Sequence, residues 1–344
     1  MFIYQTIKRM KKILYLGNKL SKHGINKTTV ETLGENLSQS GFTVVSYSSK
    51  KNSVIRILDM LLGILKHRDS DYILIDTYST AAFWFAFFGS QLARLLHIKY
   101  IPILHGGDLP NRLASSPRLC RLVFNNAFVT VSPSEYLKFH FEKASIFNVM
   151  CIPNSINLAD YSFKERQNFA PNLLWVRAFA EIYNPKMAID VLNLLQKKYT
   201  NATLTMVGSD KDGSLEITKK YANLLNLKVN FTGKLTKKEW TDLAKNHDIF
   251  INTTHFDNTP VSVLEAMALG LPVVSTNVGG LPFLISHGEN GYLVNDNAAN
   301  EMVAQIENII KFPSQTFEIV SHAKRMISKM DWKVVESQWS NLFR

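Results

Sequence analysis

Along the first half of the chain, short β-rich runs (KILYLG, FTVVSYS, YILID, KYIPILH, AFVTVS, VMCIPN) alternate with longer stretches whose apolar residues return every three or four positions, such as SVIRILDMLLGILKHR. The pattern restarts in the second half with LLWVR, ATLTMVGS, KVNFTG, DIFINTT, PVVST and GYLV. Two rounds of strand–helix alternation predict an α/β protein of two Rossmann-like, doubly wound domains, with parallel sheets, helices on both faces and ligands at the carboxyl ends of the strands. The polar segment NSINLADYSFKERQNFAPN has no clear period and places the join there, which gives domains 1–163 and 164–329. In the last stretch, Trp332, Val335, Trp339 and Leu342 recur at three- and four-residue intervals. They predict a helix over 330–344 that packs back on the first domain or lines an interdomain cleft.

Composition narrows the class. A chain of 344 residues with 46% hydrophobic and 19% charged residues is globular and long enough for two cores. The most apolar run, AAFWFAFFG, meets Ser90, Gln91 and Arg94 at once and falls short of the roughly 18 to 20 residues a bilayer span needs, so a buried helix is expected. The N-terminal MFIYQTIKRMKKILYLG has its charges after the first hydrophobics, the wrong layout for a secretory signal, and a cytoplasmic location is expected. Cys120 and Cys151 have no metal-ligand spacing and read as packed, reduced thiols. Residues 1–163 hold 19 Lys/Arg against 10 Asp/Glu, and residues 164–344 hold 20 against 18. The basic first half suits an anionic membrane surface or an acidic substrate, or is simply a solvated surface. A nucleic-acid binder is disfavoured, because no aromatic-rich RNA motif, zinc spacing or basic helix accompanies the charge.

Candidate chemistry concentrates in FDNTPVSVLEAMALGLPVV, residues 256–274. Thr259 is placed to cap a helix beginning at Pro260, and Gly270 with Pro272 marks its end. Glu265, inside that helix, is the one charged side chain between Asp257 and Glu289. A carboxylate in such surroundings needs strong donors. A ribose diol, an Arg or Lys partner, and solvent are the three candidates. Asp257 follows the strand DIFINTT, where free helix amides point into the same space. Gly279 and Gly280 then permit close backbone approach to a ligand.

The stretch DNTPVSVLEAMALGLPVVSTNVGG resembles the donor-binding signature of the retaining glycosyltransferases of family 4 (glycosyl transferases group 1), with Asp257 where that signature has its first Glu. The resemblance implies the GT-B fold, two Rossmann-like domains facing across a cleft. It also implies transfer of a sugar from a nucleotide-diphosphate donor to an acceptor hydroxyl with retention, in synthesis of a bacterial-type surface polysaccharide or glycolipid. By resemblance Glu265 holds the ribose, and Asp257 and His105 (in ILHGGDLP) face the sugar. Arg177 (in LLWVRAF) and Lys186, nine residues on, bind the diphosphate. Asn258, Thr259, Pro260, Gly208 and Gly24 complete the donor side. Asp108 either orients the acceptor or caps a turn. No cofactor or metal is implied beyond the co-substrate. The partners implied are the donor and a glycan or lipid-linked acceptor, with peripheral contact to an anionic membrane and no nucleic acid. Two rivals are a sugar-nucleotide epimerase of the same architecture and a metal-dependent GT-A-type transferase using Asp69 and Asp71 of DSDY.

Overall fold

The computed structural model describes residues 10–23 and 28–344. The chain divides into two compact units, one of residues up to Pro153 with Val335–Arg344, the other Asn154–Val334. The division falls earlier than the join expected at 163. Ile156 and Tyr161 are buried in the core of the second unit, and Ile156 exchanges backbone hydrogen bonds with Met330 and Trp332.

The first unit runs β1 (Lys12–Leu16), α1 (Thr29–Gln39), β2 (Thr43–Tyr47), α2 (Ser53–Lys66), β3 (Tyr72–Thr77), α3 (Phe83–Leu95), β4 (Lys99–Leu104), α4 (Leu109–Ser115), α5 (Pro117–Phe124), β5 (Thr130–Ser132), α6 (Glu135–Lys143) and β6 (Val149–Cys151). Its strands form a parallel sheet in the order β2-β1-β3-β4-β5-β6. Every residue of β3 is buried, as expected of a parallel strand covered on both faces. The helix over AAFWFAFFG is only half buried. Phe83, Phe85 and Ala86 face the core, whereas Trp84 and Phe88 are exposed. Burial pushes the Cys120 thiol up to about 11 and the Cys151 thiol up to about 12, which keeps both protonated at neutral pH.

The second unit runs β7 (Asn172–Val176), α7 (Pro185–Gln196), β8 (Thr203–Val207), α8 (Ser214–Leu224), β9 (Asn230–Gly233), α9 (Lys237–Ala244), β10 (Ile249–Asn252), α10 (Val261–Ala268), β11 (Val273–Thr276), α11 (Leu281–Leu284), β12 (Tyr292–Val294), α12 (Ala299–Lys311) and α13 (Pro313–Ser328). Its parallel sheet has the order β12-β11-β10-β7-β8-β9. The chain goes outward from β7 through β8 to β9, then crosses back to lay β10 on the other side of β7. That change of direction between β7 and β10 is where an open α/β sheet leaves a crevice at the carboxyl ends of its strands.

The final helix, α14 (Trp332–Leu342), belongs from Val335 onward to the first unit. Val335 and Trp339 are buried, as is Phe343 beyond the helix, while Trp332 and Leu342 of the expected face are only partly covered. The Phe343 ring packs on Phe42 and Tyr72 at 5.2 and 5.3 Å.

Arg166 holds the far end of α10 in place. Its buried guanidinium donates to the carbonyls of His247 (2.8 and 3.0 Å), Ala244 (3.2 Å), Leu269 (3.3 Å) and Gly270 (2.9 Å), and Asp248 lies 3.5 Å from its Nε. These carbonyls lie at or just past the C-terminal ends of α9 and α10, where intrahelical donors run out; the Ala244 and Leu269 carbonyls also accept from the His247 and Lys164 amides. Replacing Arg166 by Leu strips several buried acceptors at once. The expected loss is about 3 kcal/mol, read as a lower denaturant midpoint for the unfolding of this unit. An unchanged midpoint would show that water replaces the guanidinium.

Candidate active site

Two loops meet at the crevice of the second sheet. Arg177 directly follows β7, and Asp257 lies five residues beyond β10, its neighbour in the sheet. Their side chains form a close ion pair, with Nη2 of Arg177 against Oδ2 of Asp257. The guanidinium also stacks over Tyr183, 4.3 Å from its ring. Burial pushes the Arg177 pKa below its ordinary value, opposed by Tyr183. Its Nε is buried and has no hydrogen-bond partner among the described residues. A buried charged donor without an acceptor is costly, and an anion would satisfy it.

Hydroxyls lock the two loops together. Trp175 Nε1 donates to Thr253 Oγ1 (3.0 Å), which donates in turn to the carbonyls of Tyr183 and Asn184. Thr254 Oγ1 reaches the carbonyls of Ile182 and Phe256 at 3.1 and 2.9 Å.

Glu265 is half-buried on α10. Tyr161 donates its hydroxyl to Oε1 at 2.6 Å, and Lys237 Nζ stands 3.7 Å from the same oxygen and over the Tyr161 ring at 4.6 Å. Burial raises the Glu265 pKa from its ordinary value, against the lowering influence of Tyr161 and Lys237. Of the three candidate partners read from the sequence, the cation is therefore present. It is accompanied by a phenol that periodicity gave no reason to single out, because Tyr161 and Lys237 lie 104 and 28 residues from Glu265 along the chain. Oε2 is bonded to neither.

Several expectations need correction. Thr259 does not cap α10, which begins at Val261 with Pro260 in the N-cap position and no side-chain cap. Proline lacks an N–H, and its fixed φ of −67° ends the loop without a hydroxyl. Gly279 and Gly280 approach protein backbone, not a ligand-sized gap. A Cβ at either would lie 2.1 Å from the Asp257 carbonyl oxygen or 2.0 Å from that of Asn258. The Gly-Gly turn thus sets the Asp257 loop, and Gly280 N–H donates to the Asp257 carbonyl at 2.8 Å. Gly208 has the same function under Arg177, since a Cβ there would sit 1.7 Å from the Arg177 carbonyl oxygen. Lys186 is exposed on the first turn of α7 with its ammonium 4.9 Å from the Tyr221 ring, a different partner from those of Arg177.

In the first unit, His105 follows β4 and is buried. Its Nε2 lies 2.8 Å from Asp76 Oδ1 on β3, to which Tyr15 on β1 also donates at 2.9 Å. Tyr78 stacks on the imidazole, with centroids 5.0 Å apart. The Asp76 carboxylate is fully buried, and its Oδ2 has no hydrogen-bond partner among the described residues. Gly17 makes room for it, because a Cβ there would stand 2.3 Å from that oxygen. With Nε2–H given to the carboxylate, the other ring nitrogen, Nδ1, carries the lone pair. Asp76, in the strand YILID, and Gly17, at the end of KILYLG, are not among the expected site residues. The signal was a carboxylate inside an otherwise apolar strand. Gly24, expected in the first loop, lies outside the described residues. Asp108 is exposed at the N-cap position of α4 without capping it, and accepts from Asn111 at 2.7 Å.

Asp69 and Asp71 are engaged at the amino edge of the sheet. Asp69 pairs with Lys12 Nζ, and Asp71 accepts from the Lys12 amide at 2.8 Å with Lys11 3.7 Å away. That end is opposite the carboxyl ends of the strands, where sheets of this kind take their ligands, so the geometry does not support DSDY as a metal-binding pair. Among the described residues no group of three or more His, Cys, Asp or Glu could hold a metal ion.

Residues 170–311 match the family described as glycosyl transferases group 1. An uncharacterized glycosyltransferase of Haemophilus influenzae is 27% identical over 157 residues, 45% of this chain and 43% of that protein. The chain thus spans less than half the length of the curated relatives it matches first. Among solved structures, Anabaena HepE in complex with UDP and glucose superposes with a TM-score of 0.75 at 18% identity, covering 96% of this chain and 98% of that one. Sucrose-phosphate synthase of Thermosynechococcus elongatus gives 0.79 at 16% identity, covering 97% and 98%. The two Rossmann-like units are those of the GT-B fold.

The Asp76–His105 geometry has a direct readout. Nitrogen-15 NMR of the wild-type protein should find His105 protonated on Nε2. In Asp76→Asn the amide can donate to Nε2, so the proton should move to Nδ1. The same tautomer in both proteins would show that Asp76 does not set it.

Proposed function

With residues 170–311 matching the group 1 glycosyltransferases and the chain carrying the GT-B fold, we propose that this protein transfers a sugar from a nucleotide-diphosphate donor to an acceptor hydroxyl with retention at the anomeric carbon. The observation that carries the reading is Arg177 at the sheet crevice, half-buried, with a buried Nε–H that has no acceptor among the described residues. A diphosphate supplies the missing acceptors, and Arg177 neutralises the charge that builds as it departs. The bond from the anomeric carbon to the phosphate oxygen breaks, the acceptor oxygen bonds to that carbon on the same face, and the acceptor proton passes to the departing phosphate. No side chain is then required as a covalent nucleophile.

Asp257 keeps the guanidinium aimed and lies beside the sugar. Glu265, with Oε1 fixed by Tyr161, offers Oε2 to the ribose hydroxyls. Lys186 reaches the diphosphate after leaving the Tyr221 ring, a contact worth about 0.5–1 kcal/mol at an exposed site. His105 accepts a sugar hydroxyl at Nδ1, and Asp108 stands on the acceptor side. The complex of HepE with UDP and glucose supports uridine donors as the first to try. The reaction uses no metal and no cofactor besides the co-substrate. Its acceptor is a surface glycan or lipid-linked precursor, met in the cytoplasm at the inner face of the membrane. The positive excess of residues 1–163 supports that placement.

Binding and slow hydrolysis of UDP-, GDP-, ADP- and dTDP-sugars, measured with chelator present, test this reading. One donor should be preferred, and Glu265→Ala should weaken its binding by about tenfold or more. Arg177→Ala should lower turnover by about a hundredfold. Equal binding of all donors by wild type and Glu265→Ala would sink the assignment, and release of a rearranged sugar without acceptor would replace it with an epimerase.

The raised Glu265 pKa adds a pH signature. A ribose-binding carboxylate must be ionised, and here it takes up its proton at a higher pH than an ordinary glutamate. Donor affinity should therefore fall on acidification at a pH above the usual carboxylate range. Tyr161→Phe and Lys237→Ala each remove a lowering influence and should move that fall to higher pH, whereas superimposable titrations in all three proteins would exclude Glu265 as the titrating group.

A further inference from the structure

Helix α2 is apolar on two sides. Met60 and Ile64 pack inward, while Val54, Ile55, Leu58, Leu62 and Leu65 are each 49–64% exposed. At 3.6 residues per turn these five share one side of the helix, in an arc of about 100°. Helix α3 repeats the arrangement with Trp84, Phe88 and Leu95, which are four and seven residues apart and 38%, 43% and 76% exposed. The steps from β2 to β3 and from β3 to β4 run in the same direction across the sheet. Right-handed crossovers therefore put α2 and α3 side by side on one face. Eight large side chains on one helical layer reach the size of the largest apolar patch on a typical soluble monomer, about 300–600 Å².

The rim of this face is basic. Lys50 and Lys51 precede α2, while Lys66 ends it and Arg68 follows, all exposed and none in an ion pair among the described residues. Arg56 anchors the first pair by donating to the carbonyls of Lys50 and Lys51, both at 2.7 Å. The one acid on α2, Asp59, accepts from Ser48.

We propose that the α2–α3 face docks on an anionic lipid bilayer, with α2 lying in the plane of the interface. The apolar stripe enters the acyl boundary, Trp84 sits at headgroup level, and the cations at both ends of α2 meet lipid phosphates. The charge pattern selects this occupant over a second copy of the chain. Parallel or antiparallel pairing of α2 with itself sets Lys50 and Lys51 against their own copies or against Lys66 and Arg68. No helix among the described residues is long and apolar enough to cross the membrane, so the contact is peripheral. The proposal rests on the membrane placement above and names the surface responsible.

The test is co-sedimentation of the full chain with vesicles of phosphatidylcholine alone or mixed with phosphatidylglycerol, at low and high salt. The wild type should bind the mixed vesicles at low salt and release them at high salt. Leu58→Glu with Leu62→Glu should weaken binding by at least about tenfold, and Lys50→Gln with Lys51→Gln by about fivefold per charge. Both variants change exposed positions and should keep the wild-type circular dichroism and donor binding. Wild-type binding untouched by the Leu58/Leu62 substitutions would overturn the assignment of this face while leaving the membrane placement standing. No binding to either vesicle would overturn both. A wild-type dimer that the Leu58/Leu62 substitutions convert to monomer would assign the face to self-association instead. Donor affinity is read separately, so the transferase reading survives or fails on its own data.

Discussion

The second unit is organised around a guanidinium and a carboxylate that pair half-buried at the crevice. Arg177 and Asp257 come from strands that are neighbours in space and far apart in sequence, and each makes the other's burial tolerable. A buried charge without a partner would be too costly to keep, so the loops after β7 and β10 must hold one relative position. The threonine hydroxyls that bind loop carbonyls, and the glycines that let backbone pass under Arg177 and Asp257, serve that requirement. The pair is electrostatically incomplete, because the Nε of Arg177 has no acceptor among the described residues. An anion would supply one.

The first unit uses a related device with a different outcome. Asp76 is buried on a central strand, and one of its oxygens accepts from Tyr15 and His105. The effect is orientation: the imidazole is held by the carboxylate on one nitrogen and by Tyr78 across its face. Gly17 is the packing condition for this arrangement, since any side chain there would displace the carboxylate. Helices α2 and α3 cover the same sheet with their inner faces and leave apolar outer faces, so one layer both closes the core and presents a surface.

The twelve strands, their order along the chain and the α/β class were legible in the sequence because β-rich runs and helical periods are local properties. The signature around Glu265 was legible for a similar reason, since its residues sit on one loop, one helix and the following turn. The pairing of Arg177 with Asp257, of Glu265 with Tyr161 and Lys237, and of His105 with Asp76 was not. Each joins residues 28 to 104 positions apart, and nothing in a linear pattern says which strands become neighbours. Thr259 precedes an apolar period like a cap, but Pro260 delays the helix start by one position. A glycine marks a close approach without saying what approaches. The run AAFWFAFFG predicts a buried helix, but an apolar run carries no information about which of its faces another element covers. The sequence by itself determined the alternating elements and the residue types available for chemistry, through interactions that span one turn or one strand. Only the tertiary structure decided which charges meet, which glycines bear on backbone and which apolar face stays open, because these depend on strand order and on distances between segments that the chain brings together only when it folds.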